Sequence, residues 1–297
     1  MGALNLRGVS TEMFTPLRED GSIDWSALER LVSFQISAGV RALFLHGVGT
    51  ETIFMTADEQ VELVRRTAAF AGGRLPVIAN VIHPSLEHSL QLLECFEQAG
   101  ADAVSLCPPG LLAYSEAGLS DYFETLMAHA GVPVCLYNMP QSQNTLSPSL
   151  TARLINENKN VFAYKDSTQN IIHLQSVAGQ LTRQDVCLLA GSDATIFPTL
   201  ALGGEGVVSF LSTVFPAPVK RICERYFAGD LAGARCAQYE LLRLRDALKA
   251  APNTAGYKYA GVLTGLMEND VVRPPLTRTD AAAAQRLRGS LQALGLL

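Results

Sequence analysis

The sequence predicts an α/β fold, a closed parallel (β/α)8 barrel of the TIM type with a helical extension at its C-terminus. Three observations carry this. Apolar, β-prone runs of strand length recur eight times, each followed by a stretch of helical period. Strand-helix alternation in series is how a parallel sheet closes on itself. The chain has 297 residues, the length that a barrel with an added helical piece requires.

In chain order, strands are expected at Val9–Thr15, Ala42–His46, Val77–Val81, Ala103–Cys107, Val132–Asn138, Val161–Lys165, Val186–Ala190 and Gly206–Leu211. Helical periodicity fills the gaps at Asp24–Ala38, Ala57–Ala71, Leu86–Ala99, Leu119–Ala130, Ser147–Glu157, Ile171–Ala178 and Ile196–Leu202. Thr56 ahead of Ala57-Asp58-Glu59 reads as an N-cap with its capping-box acid. Gly39, Gly100 and Gly131 stand where left-handed caps would end helices just before a strand. After the last strand only helical pattern remains, near Ala217–Ala228, Leu231–Ala250, Thr254–Leu266 and Thr279–Leu294. The expected division is a barrel over 1–226 and a helical extension over 227–297. An open doubly wound sheet is the other arrangement of such units, but no GxGxxG follows the first strand and eight units in series favour closure.

Composition limits the function. Hydrophobic residues make up 48% and charged residues 17%, which excludes a disordered chain. A net charge of −5 and no basic run give no footprint for nucleic acid or an anionic membrane. The start, Met1 to Arg7, lacks a signal pattern, and no apolar stretch reaches the ~18 residues of a membrane span, so a cytoplasmic protein is expected. Cys95, Cys107, Cys135, Cys187, Cys223 and Cys236 show no CxxC spacing and are expected as free thiols. His46, His83, His88, His129 and His173 fall at no ligand spacing, so no metal site is expected.

Barrels of this type build their sites at the carboxyl ends of the strands. The residues there are Gly47-Val48-Gly49-Thr50-Glu51, Pro108-Pro109-Gly110, Tyr137-Asn138-Met139-Pro140, Lys165-Asp166-Ser167, Gly191-Ser192-Asp193, and Val208-Ser209. Lys165 closes an apolar run. Desolvation there would lower its pKa and leave some free amine, the form that attacks a ketone to give a Schiff base. Alone, the segment reads better as a lysine reaching water beside Asp166. Tyr137, expected to end the adjacent strand, changes that balance, because a phenol beside an amine can move the protons that Schiff-base chemistry requires. Alone, Tyr137 would be a core aromatic. Gly47 and Gly49 suit a loop presenting backbone N–H groups to an anion, or simply a tight turn. Gly203-Gly204-Glu205-Gly206 is better read as a turn than as a phosphate cradle, since Glu205 would repel the anion. Asp166 and Asp193 are either salt-bridge partners or groups that orient substrate hydroxyls.

Tyr137-Asn-Met-Pro140, Tyr164-Lys-Asp-Ser167 and Gly203-Gly-Glu-Gly-Val-Val-Ser209, in this order and spacing, resemble the dihydrodipicolinate synthase/N-acetylneuraminate lyase family. The likeness begins at Phe14-Thr-Pro16 and extends into the C-terminal helices. It implies class I, pyruvate-dependent aldolase chemistry, with Lys165 as Schiff-base lysine, Tyr137 as proton relay and no cofactor beyond that covalent bond. It also implies a homotetramer, a dimer of dimers.

Against that family's pattern, Val48 and Gly49 replace hydroxyl residues of the strand-two loop. Carboxylate binding is therefore expected from backbone N–H groups or Thr50. The tyrosine that crosses to a neighbouring subunit in the synthases corresponds by spacing to Leu111, with Tyr114 nearby, and the synthases' arginine corresponds to Ser142. The expected function is a lyase acting on pyruvate or a related 2-oxo acid. Neutral groups at Gln141, Ser142, Gln143, Ser192 and Ser209 suit the hydroxylated tail of a 2-keto-3-deoxy sugar acid. A condensation like that of 4-hydroxy-tetrahydrodipicolinate synthase, a Schiff-base dehydratase, and a non-catalytic barrel that binds a 2-oxo acid are the alternatives.

Overall fold

The computed structural model describes residues 4–251 and 254–297. Met1, Gly2 and Ala3 of the N-terminal stretch therefore lie outside the described residues. The strands are β1 Gly8–Glu12, β2 Leu43–Leu45, β3 Val77–Val81, β4 Ala103–Leu106, β5 Val134–Asn138, β6 Val161–Asp166, β7 Cys187–Ala190 and β8 Gly206–Ser209. They close in sequence order, each parallel to the next, with β8 pairing back onto β1 through Gly8–Gly206 to Thr11–Ser209. The chain is a (β/α)8 TIM barrel.

The helices are α1 Trp25–Ala38, α2 Ala57–Ala71, α3 Leu86–Gln98, α4 Glu116–His129, α5 Pro148–Glu157, α6 Ile171–Ala178, α7 Ile196–Ala201, α8 Pro216–Phe227, α9 Leu231–Leu248, α10 Ala255–Leu263 and α11 Ala281–Ala293. The capping box at Thr56 is present in full. Gly39 caps α1 in the left-handed region at φ 67°. Gly131 does not play the role expected of it. Ala130 ends α4 in extended backbone, and the Gly131 N–H is held instead by Glu97 Oε1 at 2.8 Å.

Two expected strands run too long. Apolar character continues through Met13-Phe14-Thr15 and Phe210-Leu211, but ladder pairing stops at Glu12 and Ser209. Phe14 is buried for another reason, since its ring packs under Gly261 of α10. The β2 ladder likewise ends before His46, whose φ of 61° turns the chain out of the sheet. Its ring stacks on Phe96, and burial pushes its pKa down to about 3.

The core has two layers. Leu28, Phe96, Phe123, Leu154 and Val219 belong to the layer between sheet and helices, while Phe44, Ile78, Ala103, Cys135, Ala163 and Leu189 fill the barrel interior. Strand alternation puts every second residue on the inner face. At the carboxyl end that inner layer turns polar, and there the site forms.

Candidate active site

Along β6 the side chains alternate between the two layers. Tyr164 and Asp166 face the helices, where the Tyr164 hydroxyl donates to Asp166 Oδ2 at 2.9 Å and Thr168 donates to Oδ1 through N at 2.7 Å and Oγ1 at 2.5 Å. Asp166 is thus a hydrogen-bonding hub behind the strand and does not line the cavity. Ala163 and Lys165 face inward.

Lys165 is 1% exposed and its Nζ donates to Glu12 Oε2 at 2.5 Å, so the water-reaching alternative with Asp166 fails. The expected free amine is also corrected. Burial disfavours the ammonium, but the Glu12 carboxylate, the Tyr137 phenol and the hydrogen bond to Glu12 outweigh it and hold Nζ above the ordinary lysine range. Glu12 enters from the end of β1, and Gly47 makes room for it: a Cβ at that position would stand 2.0 Å from Glu12 Oε1.

Tyr137 is the direct ladder partner of Lys165 across β5 and β6. It presents its ring face to the amine, with Nζ 3.9 Å from the centroid, a cation–π distance. The Tyr137 hydroxyl is 3.3 Å from Ser167 Oγ, which donates to Gly191 O at 2.9 Å. Burial raises the phenol's pKa against the opposing charge of Lys165.

Above this floor opens a cavity of about 510 Å³ lined by Glu12, Val48, Gly49, Tyr137, Gln141, Ser167, Gln169, Gly191, Ser192, Asp193, Val208, Phe210, Arg245, Thr254 and Tyr257, among others. Of the residues expected at the site, Val48, Gly49, Tyr137, Gly191, Ser192, Asp193 and Val208 meet here. Gly47 lies behind them against Glu12.

Five of the expected residues do not line the cavity: Gly47, Lys165, which lies against the lining residues Tyr137 and Glu12, and Thr50, Ser142 and Ser209. Thr50 is buried, its hydroxyl 2.7 Å from both Gly47 O and Thr52 Oγ1, so it is not turned toward a substrate. Ser142 is buried at 3% exposure in the turn after β5, 2.9 Å from Met139 O and 2.7 Å from Asn144 O. Ser209 accepts from Ser212 N at 2.9 Å and is fully buried. Gln143 is also absent from the lining, whereas Gln141 is part of it. Gly49 is glycine because a Cβ would lie 3.0 Å from the Phe210 ring, which closes the wall there. The turn Gly203–Gly206 leads into the amino end of β8, at the opposite end of the barrel from the cavity, with Glu205 O accepting from Gly8 N at 2.9 Å.

Asp193 is buried, and burial raises its pKa to about 6 despite a hydrogen bond from Leu211 N and the charge of Arg245. Arg245, from α9, lines the same cavity and makes no ion pair or side-chain hydrogen bond among the described residues. A second buried pair fixes the strand-two loop from outside. Lys258 of α10 meets the Glu51 carboxylate and donates to Val271 O at 2.8 Å, while Arg273 N donates to Glu51 Oε2 at 2.7 Å. Among the described residues no group of three or more His, Cys, Asp or Glu is placed to hold a metal, and no helix is long and apolar enough to cross a membrane.

Glu12, Ile53, Phe54, Gln169, Phe210, Arg245, Thr254, Tyr257 and Leu276 are the lining residues that sequence reasoning missed. Glu12 carried part of a readable signal, as the one acid in Val9–Thr15, but only the observed β1, which stops at Glu12, puts it at the carboxyl end of the strand.

Fold and site together define a TIM-barrel enzyme with a buried amine at the carboxyl end of its sixth strand. The model of the dihydrodipicolinate synthetase family matches residues 5–294, and the chain belongs to that family. It is 31% identical over 295 residues to a 4-hydroxy-tetrahydrodipicolinate synthase of Nitratidesulfovibrio vulgaris, covering 99% of this chain and 100% of the relative. Among solved structures, dihydrodipicolinate synthase from Thermotoga maritima superposes with a TM-score of 0.93 at 30% identity, covering 98% of this chain and 99% of that one. YagE, a prophage protein of the same family from E. coli K12 solved in complex with pyruvate, superposes with a TM-score of 0.93 at 29% identity, covering 98% and 99%. The chain is accordingly a carbon–carbon lyase of the condensing-aldolase kind.

Proposed function

We propose that the protein is a class I aldolase in which Lys165 forms a Schiff base with the 2-oxo group of pyruvate or of a 2-keto-3-deoxy sugar acid. The observation that carries this is the placement of the Lys165 Nζ, 3.9 Å over the ring of Tyr137 and hydrogen-bonded to Glu12, two residues that line the polar cavity. Attack by the amine and loss of water give an iminium, which draws in the electron pair of the C3–C4 bond. Tyr137 takes up the C4 hydroxyl proton and gives a proton to C3 of the enamine, so the phenol ends as it began, held by the hydrogen bond it accepts from Ser167. An aldehyde departs, the enamine takes up a proton at C3, and water releases pyruvate and the lysine. Holding reactant and relay in one dry site removes the cost of bringing them together.

Gln141, Gln169 and Ser192 supply neutral hydrogen-bonding groups for substrate hydroxyls, and a site built to bond hydroxyls rejects substrates without them. Arg245 supplies a cation that the sequence reading did not include, and it favours a second reading, a condensation of pyruvate with an acidic aldehyde in the manner of a 4-hydroxy-tetrahydrodipicolinate synthase, the name its relative carries. Side-by-side assays decide. Cleavage of 2-keto-3-deoxygluconate should release free pyruvate faster than pyruvate condenses with aspartate semialdehyde. The reverse order would establish the condensation, and a product that retains the whole carbon chain would indicate a dehydratase.

The same reading places the protein in the cytoplasm as a homotetramer. Leu111, 78% exposed and at φ 76°, and Leu112, 67% exposed, form an apolar tip beside Tyr114 that suits a subunit contact. Sedimentation analysis tests that assembly.

A further inference from the structure

Schiff-base formation needs an unprotonated amine, yet Lys165 is held as an ammonium. Its proton must pass to a base within reach. Among the described residues Nζ makes one hydrogen bond, to Glu12 Oε2 at 2.5 Å. Tyr137 offers the amine its ring face, with its hydroxyl directed to Ser167. Asp193 and the thiols of Cys107 and Cys135 are also near the pair, but none bonds to Nζ, and burial pushes both thiols up to about 12. Glu12 lines the cavity at 7% exposure, and the glycine at position 47 leaves its carboxyl the space it occupies.

We propose that Glu12 is a second catalytic residue, the acid–base partner that takes the proton from Lys165 and returns it to the departing hydroxyl of the carbinolamine. The inference rests on Lys165 being the Schiff-base lysine. In the first step the Nζ–H bond breaks and an O–H bond forms on Glu12, leaving amine and carboxylic acid. The amine lone pair then adds to the carbonyl carbon, and the second ammonium-derived proton settles on the carbonyl oxygen. In the last step the nitrogen lone pair expels that hydroxyl, which leaves as water with the proton from Glu12. The products are an iminium and a carboxylate, so the buried pair ends as it began, with one positive and one negative charge. Conservation of charge in a dry site is the advantage, because no isolated ion is formed there.

The test measures adduct formation by wild-type protein, Glu12→Gln and Glu12→Asp with pyruvate and cyanoborohydride between pH 6 and 9, by intact mass, after circular dichroism confirms folding. Loss of a positioned acid–base group costs typically ~10²–10⁴-fold, so Glu12→Gln should slow adduct formation at pH 7 within that range. Glu12→Asp, which keeps the carboxylate but withdraws it by one methylene, should recover most of that loss yet stay roughly tenfold slower than wild type. A role limited to charge predicts the opposite. Without the carboxylate, burial would free the amine, and Glu12→Gln would react as fast as wild type or faster at pH 7. That result overturns the proposal while leaving Lys165 as the nucleophile. If Glu12→Gln does not fold, Glu12→Asp reacting at the full wild-type rate overturns it equally. Absence of any adduct in wild type removes both this proposal and the reading on which it rests.

Discussion

Tyr137 and Lys165 are ladder partners on neighbouring strands, and the phenol ring lies under the amine with Nζ 3.9 Å from its centroid. The ring therefore contributes to holding the ammonium whether or not its hydroxyl works. A cation over a desolvated aromatic face is worth on the order of 1–2 kcal/mol.

Tyr137→Phe separates the two contributions. It keeps the ring and should keep both the fold and the adduct on Lys165, while turnover falls by roughly 10²–10⁴-fold, the range for losing a positioned proton donor. Steady-state kinetics and mass measurement of the reduced adduct on one preparation check this. A variant that turns over at the wild-type rate would reduce Tyr137 to a core aromatic.

Arg245→Gln should raise KM for a substrate carrying a carboxylate by roughly tenfold or more, since a hydrogen bond to a charged group is worth about 1.5–3 kcal/mol. The effect on kcat should be small, and the wild-type advantage should shrink as salt is added. KM measured at low and high ionic strength reads both. An unchanged KM would show that Arg245 meets only solvent.

Lys258→Met removes one partner of a buried pair and strands the Glu51 carboxylate, which is 2% exposed. Breaking such a pair costs about 3–5 kcal/mol. Denaturant unfolding should show that loss, with KM also rising because Glu51 closes the strand-two loop that carries Val48 and Gly49. A variant as stable as wild type would contradict the role given to the pair.

Asp193 gives a pH dependence. Its carboxyl is raised from 3.8 to about 6 by burial, so the folded state binds its proton more tightly than the unfolded state does. Below the unfolded pKa both states are protonated and the site costs nothing. As pH rises from about 4 through 6 the unfolded chain ionises first, and stability falls by about 3 kcal/mol, at 1.36 kcal/mol for each pH unit of displacement. Asp193→Asn should lack this term, so its melting temperature relative to wild type should rise between pH 5 and pH 7.5. An equal difference at both pH values would refute it.

Much of this architecture was legible because it is local. The capping box at Thr56 and the helix Ala57–Ala71 depend on a short run of sequence and were read to the residue. The strand-end rule likewise pointed to Lys165, Tyr137 and Asp193 without geometry, since barrels of this type build their sites at the carboxyl ends of the strands. What stayed hidden depends on distant contacts. Lys165 was expected to be partly free because the segment shows an apolar run, and the carboxylate that reverses this comes from the other side of the barrel, at Glu12. Arg245 enters from a helix beyond the last strand. Thr50 and Ser142 sit at the expected positions in sequence, but their hydroxyls satisfy backbone carbonyls, and spacing says nothing about which way a hydroxyl turns.

The central claim is that Lys165 is the nucleophile. Borohydride reduction in the presence of pyruvate, followed by peptide mass mapping, tests it most directly. The account predicts a reduced pyruvate adduct on the peptide containing Lys165, and no adduct in Lys165→Ala. Reduction that leaves the Lys165 peptide unmodified with pyruvate and with every simple 2-oxo acid, or that fixes the label on another lysine, would contradict it.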